Sequence, residues 1–305
     1  MITLYIKNET APLESVVLGT ALNNGQVPSL EDIYDPKSRK HLISGTYPQE
    51  SDMIKELDTF TKVLEKYGVQ VNRPSLLEDC NQIFARDTGF VIEDYFFKSN
   101  ILPLRDQELT AFDSLLSKIA PNKIVSFPPH IHVEGGDVIV DGDTLYVGYY
   151  NGEDYPALIT ARTNIHAVKA LQGFFPKKNV IGFELKKSNT DAYATALHLD
   201  CCFQPVGNQY AIIHPDGFIH NDAFSHLIDR YGIENLFLVT QQEMYEMNCN
   251  IFSIAPEIVV SDPTFDRLNN WLDARKIKVE EVSYQEVGKQ GGLFRCSTLP
   301  LKRTY

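Results

Sequence analysis

Four short segments of the chain place chemically capable side chains next to glycines or next to a predicted strand. In the last of them, Cys296 follows a Gly-Gly pair and precedes Ser297 and Thr298. A cysteine acts as a nucleophile only as a thiolate, which requires a nearby cation or hydrogen-bond donors. Arg295 and the hydroxyl and amide groups that follow Cys296 are candidates for that stabilising role. The same local pattern is also typical of a buried structural thiol.

Two other segments offer an acid or base for such a nucleophile. His198 and Asp200 lie two residues apart, and on extended backbone such side chains project to the same side of the chain. Glu134 precedes Gly135 and Gly136, where the backbone can approach another group closely. A carboxylate fixed there could orient a histidine that transfers protons. Taken alone, each segment is more typical of ordinary structure than of a site.

The earliest of the four segments contains Phe84, Arg86 and Asp87, just before a predicted strand. Taken alone, the Arg-Asp pair is more typical of a surface ion pair, which contributes little to stability. The chain has no glycine-rich phosphate loop and no Gly-x-Ser-x-Gly turn, and its histidines lack the spacing of metal ligands. We therefore predict neither a metal nor a cofactor.

Composition excludes several classes of function. The 305 residues carry a net charge of −12 and contain no dense cluster of basic residues, which argues against nucleic-acid partners and anionic membranes. No apolar run is long enough to span a membrane, and the N-terminus does not resemble a signal peptide. Five cysteines, an odd number, do not indicate a disulfide framework. A cytoplasmic location is therefore expected.

Hydrophobic periodicity predicts short strands that alternate with amphipathic helices. The spacing of apolar residues predicts helices over Asp52–Lys66 and Asp106–Ile119. A hairpin is predicted where the strands Val138–Val140 and Thr144–Val147 flank an Asp-Gly-Asp turn. Several units of roughly two strands and a helix indicate an α/β architecture. No linker marks a boundary, so one domain over residues 1–305 is expected.

Taken together, the four segments resemble the guanidino-group-modifying superfamily, which includes arginine deiminases, dimethylarginine hydrolases and amidinotransferases. The motifs that carry the resemblance, in chain order, are Phe84-x-Arg86-Asp87, His132-x-Glu134-Gly-Gly-Asp137, His198-x-Asp200 and Gly291-Gly-x-x-x-Cys296. The resemblance extends over essentially the whole chain. It implies a five-bladed α/β propeller built from pseudo-fivefold ββαβ units.

The resemblance also implies a role for the candidate catalytic residues. Cys296 would attack the guanidino carbon and form a covalent thiouronium intermediate. His198 would protonate the leaving amine and then activate the water or amine that resolves this intermediate, while Glu134 orients the imidazole. Asp87 and Asp200 would hold the planar guanidinium through paired hydrogen bonds.

Three further residues are assigned to substrate binding by the same resemblance. Phe84 would pack on the substrate, and Arg86 belongs to the same motif. Arg162 would grip a substrate α-carboxylate, because a guanidinium fork matches a carboxylate. Arg162 lies further from Glu134 than the family spacing, since Tyr149–Leu158 looks like an insertion. A surface residue at the start of a helix is the alternative for Arg162.

The presence of Asp200 favours an unmethylated guanidinium, because a second carboxylate needs N–H donors. The main prediction is therefore a hydrolase of the guanidino or ureido group of arginine or a close analogue, with a small guanidino or ureido amino acid as its partner. An amidinotransferase that uses an amine acceptor is the alternative. A citrulline hydrolase, a dimethylarginine hydrolase and a non-catalytic arginine-binding module remain further alternatives. The sequence is also compatible with a homo-oligomer.

Overall fold

Fifteen strands form five separate sheets of three strands each in the computed structural model, which describes residues 1–305. The strands are β1 (Leu13–Leu18), β2 (Gln70–Asn72), β3 (Gly89–Ile92), β4 (Tyr95–Lys98), β5 (Ile124–Ser126), β6 (Val138–Asp141), β7 (Thr144–Tyr149), β8 (Asn179–Glu184), β9 (Phe203–Val206), β10 (Tyr210–Ile213), β11 (Leu236–Leu238), β12 (Phe252–Ala255), β13 (Ile258–Ser261), β14 (Lys278–Glu281) and β15 (Thr298–Arg303). The helices are α1 (Pro36–Ile43), α2 (Glu50–Lys66), α3 (Gln107–Thr110), α4 (Asp113–Leu116), α5 (Ile165–Phe174), α6 (Asn221–Tyr231), α7 (Gln241–Tyr245), α8 (Asp266–Asp273) and α9 (Gln285–Gly288).

The five sheets share one internal order. In each sheet, two neighbouring strands pair antiparallel and a third strand lies parallel to the central one. Helices connect the central strand to its parallel neighbour, as a parallel pairing requires; α5, for example, lies between β7 and β8. These units agree with the predicted rhythm of two strands and a helix. Each sheet is open, and no strand pairing joins the five into one closed sheet.

Residues from both ends of the chain share one of these sheets. β15 pairs antiparallel with β1, with Pro300 opposite Val16 and Thr298 opposite Leu18. β1 carries the parallel strand β2 on its other edge. The last strand therefore completes the unit that the first strand begins. The prediction of one domain over residues 1–305 is compatible with this pairing.

Two of the predicted elements are confirmed by the structure. The helix predicted over Asp52–Lys66 is α2, which begins two residues earlier and buries Met53, Leu57, Phe60 and Leu64. These buried residues recur at intervals of three or four, which places them on one face of a helix. The hairpin predicted around the Asp-Gly-Asp turn is formed by β6 and β7.

The prediction of one helix over Asp106–Ile119 is wrong. The structure has two short helices, α3 and α4, separated by a turn. The amides of Ala111 and Phe112 donate to carbonyls three residues back rather than four, which interrupts the α-helical ladder. Periodicity could not reveal this break, because Glu108 and Leu115 are both buried at helical spacing although the backbone is tightened between them.

Buried side chains form three apolar clusters, and the largest contains both α2 residues and the Cys296 region. Phe60 of α2 makes edge-to-face contacts with Phe252, Tyr284 and Phe294, at ring-centroid distances of 6.0, 5.8 and 5.2 Å. Phe294 lies two residues before Cys296. This cluster therefore holds the segment that carries the candidate nucleophile.

All five cysteines are buried, and none forms a disulfide. None of the helices combines the length and the apolar character that a membrane span requires.

Replacing Phe60 with alanine should lower the free energy of unfolding by about 3–5 kcal/mol, because the truncation leaves a cavity among three rings. Chemical denaturation monitored by tryptophan fluorescence and circular dichroism would measure the change. The matched control is Lys62→Ala, which lies on the exposed face of the same helix and should change the free energy by less than about 0.5 kcal/mol. Equal effects of the two substitutions would contradict the assignment of Phe60 to the core.

Candidate active site

Most of the candidate site residues lie in the turns that lead into the outer antiparallel strand of each unit, whereas Arg162 lies between β7 and α5. Asp87, Asn250 and Cys296 each stand two residues before such a strand, namely β3, β12 and β15. Glu134 and His198 precede the short 3-10 turns that lead into β6 and β9. Hydrogen bonds join turns of different units; the Cys296 amide, for example, donates to Asn250 Oδ1 at 3.0 Å. The five units therefore contribute to one buried location.

His198 and Glu134 form a buried hydrogen-bonded pair. His198 Nε2 lies 2.7 Å from Glu134 Oε2, and the two side chains are 1% and 0% exposed. Gly136 permits this arrangement, since a Cβ atom at that position would lie 2.7 Å from the imidazole ring. The other Glu134 oxygen accepts from the Leu102 amide at 3.0 Å. The carboxylate is thus placed to orient the imidazole.

The charges around His198 favour its protonated form. Burial lowers the pKa of His198, but the carboxylates of Asp87 and Glu134 outweigh this effect and the pKa is raised. Burial also opposes ionisation of Glu134, yet Arg162 and His198 hold the pKa of that carboxyl well below its usual value. These shifts favour an imidazolium that donates to the Glu134 carboxylate, and such a group can deliver a proton to a neighbouring atom.

The Cys296 thiol is buried next to carboxylates. Its Sγ atom lies 3.8 and 3.7 Å from Oδ1 and Oδ2 of Asp200, and it makes no hydrogen bond to a basic side chain. The amide group of Asn250 is its nearest donor, with Nδ2 3.1 Å from Sγ. Burial and the charges of Asp200 and Asp87 raise the pKa of Cys296 well above its usual value. These surroundings therefore favour the protonated thiol over the thiolate.

The two carboxylates near the thiol are neutralised to different extents. Asp200 Oδ2 is paired with Arg295 at 2.8 Å. Asp87 Oδ2 is paired with Arg105 at 2.7 Å, whereas Asp87 Oδ1 is buried and has no hydrogen-bond partner. This free oxygen lies 3.7 Å from His198 Nδ1. Buried acceptors are normally satisfied, so Asp87 Oδ1 is a vacant acceptor for an N–H group beside the imidazole.

Arg162 is fully buried and uses its donors within the protein. Its Nη1 atom lies 3.1 Å from Glu134 Oε2. Its Nη2 and Nε atoms donate to the backbone carbonyls of Tyr34 and Ile159, each at 2.7 Å. Arg162 thus adjoins the His198–Glu134 pair, as its assignment to the site requires. Its expected contact with a substrate carboxylate stays a prediction.

Phe84 and Arg86 lie beside the Cys296 segment. The Phe84 ring packs against Gly292, where an added Cβ would come within 2.5 Å of the ring. Arg86 Nε donates to the backbone carbonyl of Arg295 at 3.3 Å, and Arg86 forms no ion pair. Both residues therefore support the loop that carries the thiol, and a direct contact with substrate stays a prediction for each.

Asn250 and Arg105 belong to the site, but no motif identifies them in the sequence. Asn250 occupies the same position before β12 that Cys296 occupies before β15, so alignment of the five units is the signal that would find it. Arg105 is 2% exposed and pairs with Asp87 and Glu108. An arginine in a Pro-Leu-Arg turn gives no indication of such burial.

Asp87, Glu134 and His198 bring potential metal-ligand atoms within 4.8 Å of one another. Two positive groups oppose a metal ion at this point. Arg162 pairs with Glu134, and Arg105 Nη1 lies 3.8 Å from the same Glu134 oxygen. The prediction of no metal therefore has an electrostatic argument in its favour, although it stays a prediction.

Two solved structures share this architecture. The N-terminal domain of ArgZ, an arginine dihydrolase from the ornithine–ammonia cycle in cyanobacteria, has a TM-score of 0.77 at 17% identity over 95% of this chain and 98% of that domain. StrB1, an inosamine-phosphate amidinotransferase from Streptomyces griseus, also has a TM-score of 0.77 at 17% identity, over 100% and 98% of the two chains. At this level of identity the likeness concerns the fold, which is the mixed α/β fold of amidinotransferases.

Sequence comparison identifies the family. The uncharacterized protein YkgA of Bacillus subtilis (strain 168) is 32% identical over 225 residues, which cover 73% of this chain and 70% of YkgA. The profile of eukaryotic N,N-dimethylarginine dimethylhydrolases matches residues 38–303. The chain therefore belongs to the N,N-dimethylarginine dimethylhydrolase family, within the superfamily of enzymes that hydrolyse or transfer guanidino groups.

Proposed function

We propose that the protein is a hydrolase that uses Cys296 to break a C–N bond in the guanidino group of arginine or a close analogue. The observation that carries this proposal is the surroundings of the thiol. Cys296 is buried against Asp200 and receives a hydrogen bond from Asn250, and no basic side chain contacts it. Such a thiol lacks the cation that would make it a nucleophile.

A guanidinium substrate would supply the missing charge. A planar cation bound between the thiol and the carboxylates is attracted to both, and it lowers the pKa of the thiol by direct Coulomb interaction. The vacant Asp87 oxygen accepts one of its N–H groups. A neutral ureido group supplies no charge and turns its oxygen toward carboxylates, which disfavours citrulline. The protein therefore activates its nucleophile only when the appropriate cation is present.

The reaction then follows from the geometry of the buried groups. The thiol proton is lost to water as the cation binds, and Sγ of Cys296 attacks the guanidino carbon. The protonated His198 gives its proton to the departing nitrogen, the C–N bond breaks, and a thiouronium remains on sulfur. The neutral imidazole next takes a proton from water, whose oxygen attacks the thiouronium carbon. Cleavage of the C–S bond releases the ureido product. Glu134 stabilises the imidazolium form of His198, which is present before the first proton transfer and forms again after the second.

We also propose that the five sheets surround a common axis as a five-bladed propeller. The convergence of equivalent turns from all five units supports this arrangement, because only elements arranged around a centre bring the same position of every repeat together. The site would then lie at the end of that axis.

An amidinotransferase is the second candidate, because StrB1 has the same fold over the whole chain. The steps up to the thiouronium are identical, and an amine rather than water resolves it. Dimethylarginine hydrolysis is less favoured because methylation removes N–H donors that could reach Asp87 and Asp200. A non-catalytic arginine-binding module would not need an oriented His198–Glu134 pair.

Purified protein incubated with a panel of arginine, citrulline, dimethylarginine and simple alkylguanidines should convert an unmethylated guanidine without an added amine. Mass spectrometry would detect a ureido product together with ammonia. Cys296→Ser should bind the same compound but abolish turnover, because a serine hydroxyl is far less acidic. Product formation that requires glycine would establish the transferase instead. Normal turnover by Cys296→Ser would refute Cys296 as the nucleophile.

Asn250→Asp should reduce kcat by about 10- to 100-fold, because it replaces a donor to the thiolate with another negative charge. The acidic limb of the pH–rate profile should also move to higher pH, since the pKa of Cys296 rises further. Asn248→Asp is the matched control, a second asparagine that is buried in the same turn and makes no contact with Sγ. Equal losses in both variants would mean that the thiol contact of Asn250 is not important.

Glu134→Gln should lower kcat by at least about 100-fold by disabling proton transfer. Removing this carboxylate lowers the pKa of His198, so the imidazolium is lost at a lower pH. The alkaline limb of the pH–rate profile therefore moves to lower pH. Glu134→Asp retains the charge and should restore the position of that limb even if the rate stays reduced. A profile that is unchanged in Glu134→Gln would contradict the role of the pair.

A further inference from the structure

The segment that precedes β1 places one carboxylate, that of Glu9, in the interior. The backbone of this segment is fixed against β6, since Asn8 forms an antiparallel bridge with Asp141. Glu9 itself is 5% exposed, and its Oε1 atom accepts from the Val140 amide at 3.4 Å. Glu9 is therefore a buried ionisable residue that the four sequence motifs do not include and the proposed reaction does not use.

Glu9 occupies one edge of the Arg295 guanidinium. Its Oε1 atom lies 3.1 Å from Nη2 and its Oε2 atom lies 3.3 Å from Nε, so both carboxylate oxygens are paired with adjacent nitrogens. The remaining terminal nitrogen, Nη1, lies 2.8 Å from Asp200 Oδ2. Pairing through two parallel N–H groups is the strongest way in which an arginine binds a carboxylate. Glu9 has this geometry, whereas Asp200 is limited to a single close contact with Arg295.

The Asp200 oxygen that Arg295 leaves free faces the thiol. Asp200 Oδ1 lies 3.8 Å from the sulfur atoms of both Cys201 and Cys296, and no basic side chain donates to it. Because a thiol is a weak donor, this oxygen keeps most of its capacity to accept an N–H group. The contact between Glu9 and Arg295 therefore affects the part of Asp200 that the proposed reaction uses.

The charge of Glu9 is maintained by the arginines that surround it. Burial opposes ionisation of Glu9, but Arg295 and Arg86 outweigh it and hold its pKa at about 2. Arg86 and Arg303 are buried nearby and donate only to backbone carbonyls, and Arg86 Nη2 has no partner at all. Without the Glu9 carboxylate, Asp200 would be the only acidic group left to pair with Arg295.

We propose that Glu9 is a positioning residue for the proposed reaction: by occupying one edge of the Arg295 guanidinium, it keeps Asp200 Oδ1 available to a cation beside the thiol. This inference rests on the proposed function of the same site. If Glu9 is removed, Arg295 is free to turn a second nitrogen toward Asp200 and neutralise it. A cationic ligand then loses part of its attraction, whereas the thiol loses a negative neighbour and ionises more readily. Ligand affinity and thiol reactivity should therefore change in opposite directions.

Two measurements on Glu9→Gln test the proposal. Titration calorimetry in the Cys296→Ser background should show that n-butylguanidine binds at least about fivefold more weakly when Glu9 is replaced. With Cys296 intact, iodoacetamide should alkylate this cysteine at least about threefold faster at neutral pH, because the thiolate fraction rises as the pKa of the thiol falls. Peptide mass spectrometry gives the rate at each cysteine, and the rate at Cys80 should change by less than about twofold.

Glu9→Asp keeps a negative charge, so it should fold even if Glu9→Gln does not. Its shorter side chain withdraws from Arg295, and both measured quantities should therefore change in the same directions as in Glu9→Gln, by about twofold. Glu243→Gln is the matched control, since Glu243 pairs with an arginine in a similar way on the surface, with Oε1 2.8 Å from Nε of Arg267. It should leave both the affinity and the alkylation rate unchanged.

Faster alkylation of Cys80 and Cys296 alike, or a loss of affinity together with slower alkylation of Cys296, would mean that Glu9 only supports the fold and would overturn the proposal. Unchanged affinity and alkylation in a folded Glu9 variant would overturn it as well. In each of these cases, binding of n-butylguanidine to the site with Glu9 in place leaves the proposed function standing. If neither arginine nor n-butylguanidine binds or is turned over, the proposed function itself fails, and this inference fails with it.

Discussion

Six carboxylates are buried around the candidate site: Glu9, Asp87, Glu108, Glu134, Asp137 and Asp200. Removing so many charges from water costs several kcal/mol each unless they are paired, so the interior must also bury cations. Arg105, Arg162 and Arg295 meet this demand through close ion pairs. None of these guanidinium groups contacts the Cys296 thiol. Asp137 has no ion-pair partner, and Asp87 and Glu108 share Arg105, so negative charge is in excess around the site. In the proposed function, this excess favours a cationic ligand.

The repeated architecture explains how such an assembly is held in place. Each unit presents a turn at the start of its outer strand, and the neighbouring units fix that turn through backbone hydrogen bonds, as where the Arg86 amide donates to the Cys296 carbonyl at 3.0 Å. A side chain on a short turn that is held both by its own strand and by a neighbouring unit has little freedom to move. The glycines of the motifs have a related purpose: Gly136 and Gly292 remove side chains from positions that His198 and Phe84 require.

The sequence alone was sufficient to select several residues that the structure places close together. Glu134, His198 and Cys296 stand in motifs whose order is distinctive, and the structure brings them to one location together with Asp87 and Asp200. Asn250 was not identifiable in this way, because an asparagine beside a strand has many ordinary roles and its function depends on equivalence between units of very different sequence. Side-chain direction is equally hidden from a sequence. Arg105 and Glu108 look like an ordinary exposed pair three residues apart, and only the tertiary packing turns both of them inward.

The pairing of β15 with β1 affects when Cys296 reaches its final position during folding. Cys296 stands two residues before β15, so the strand that fixes this thiol is also the strand that pairs with β1 near the other end of the sequence. Contacts between residues so distant in sequence form late and slowly, because the loop they close is long. During synthesis, the acidic pocket of the middle units can assemble before its thiol is in place. In the proposed function, a chain in which β15 has detached from β1 would therefore lose catalysis while Asp87, Glu134 and Asp200 were still in place to hold a cation.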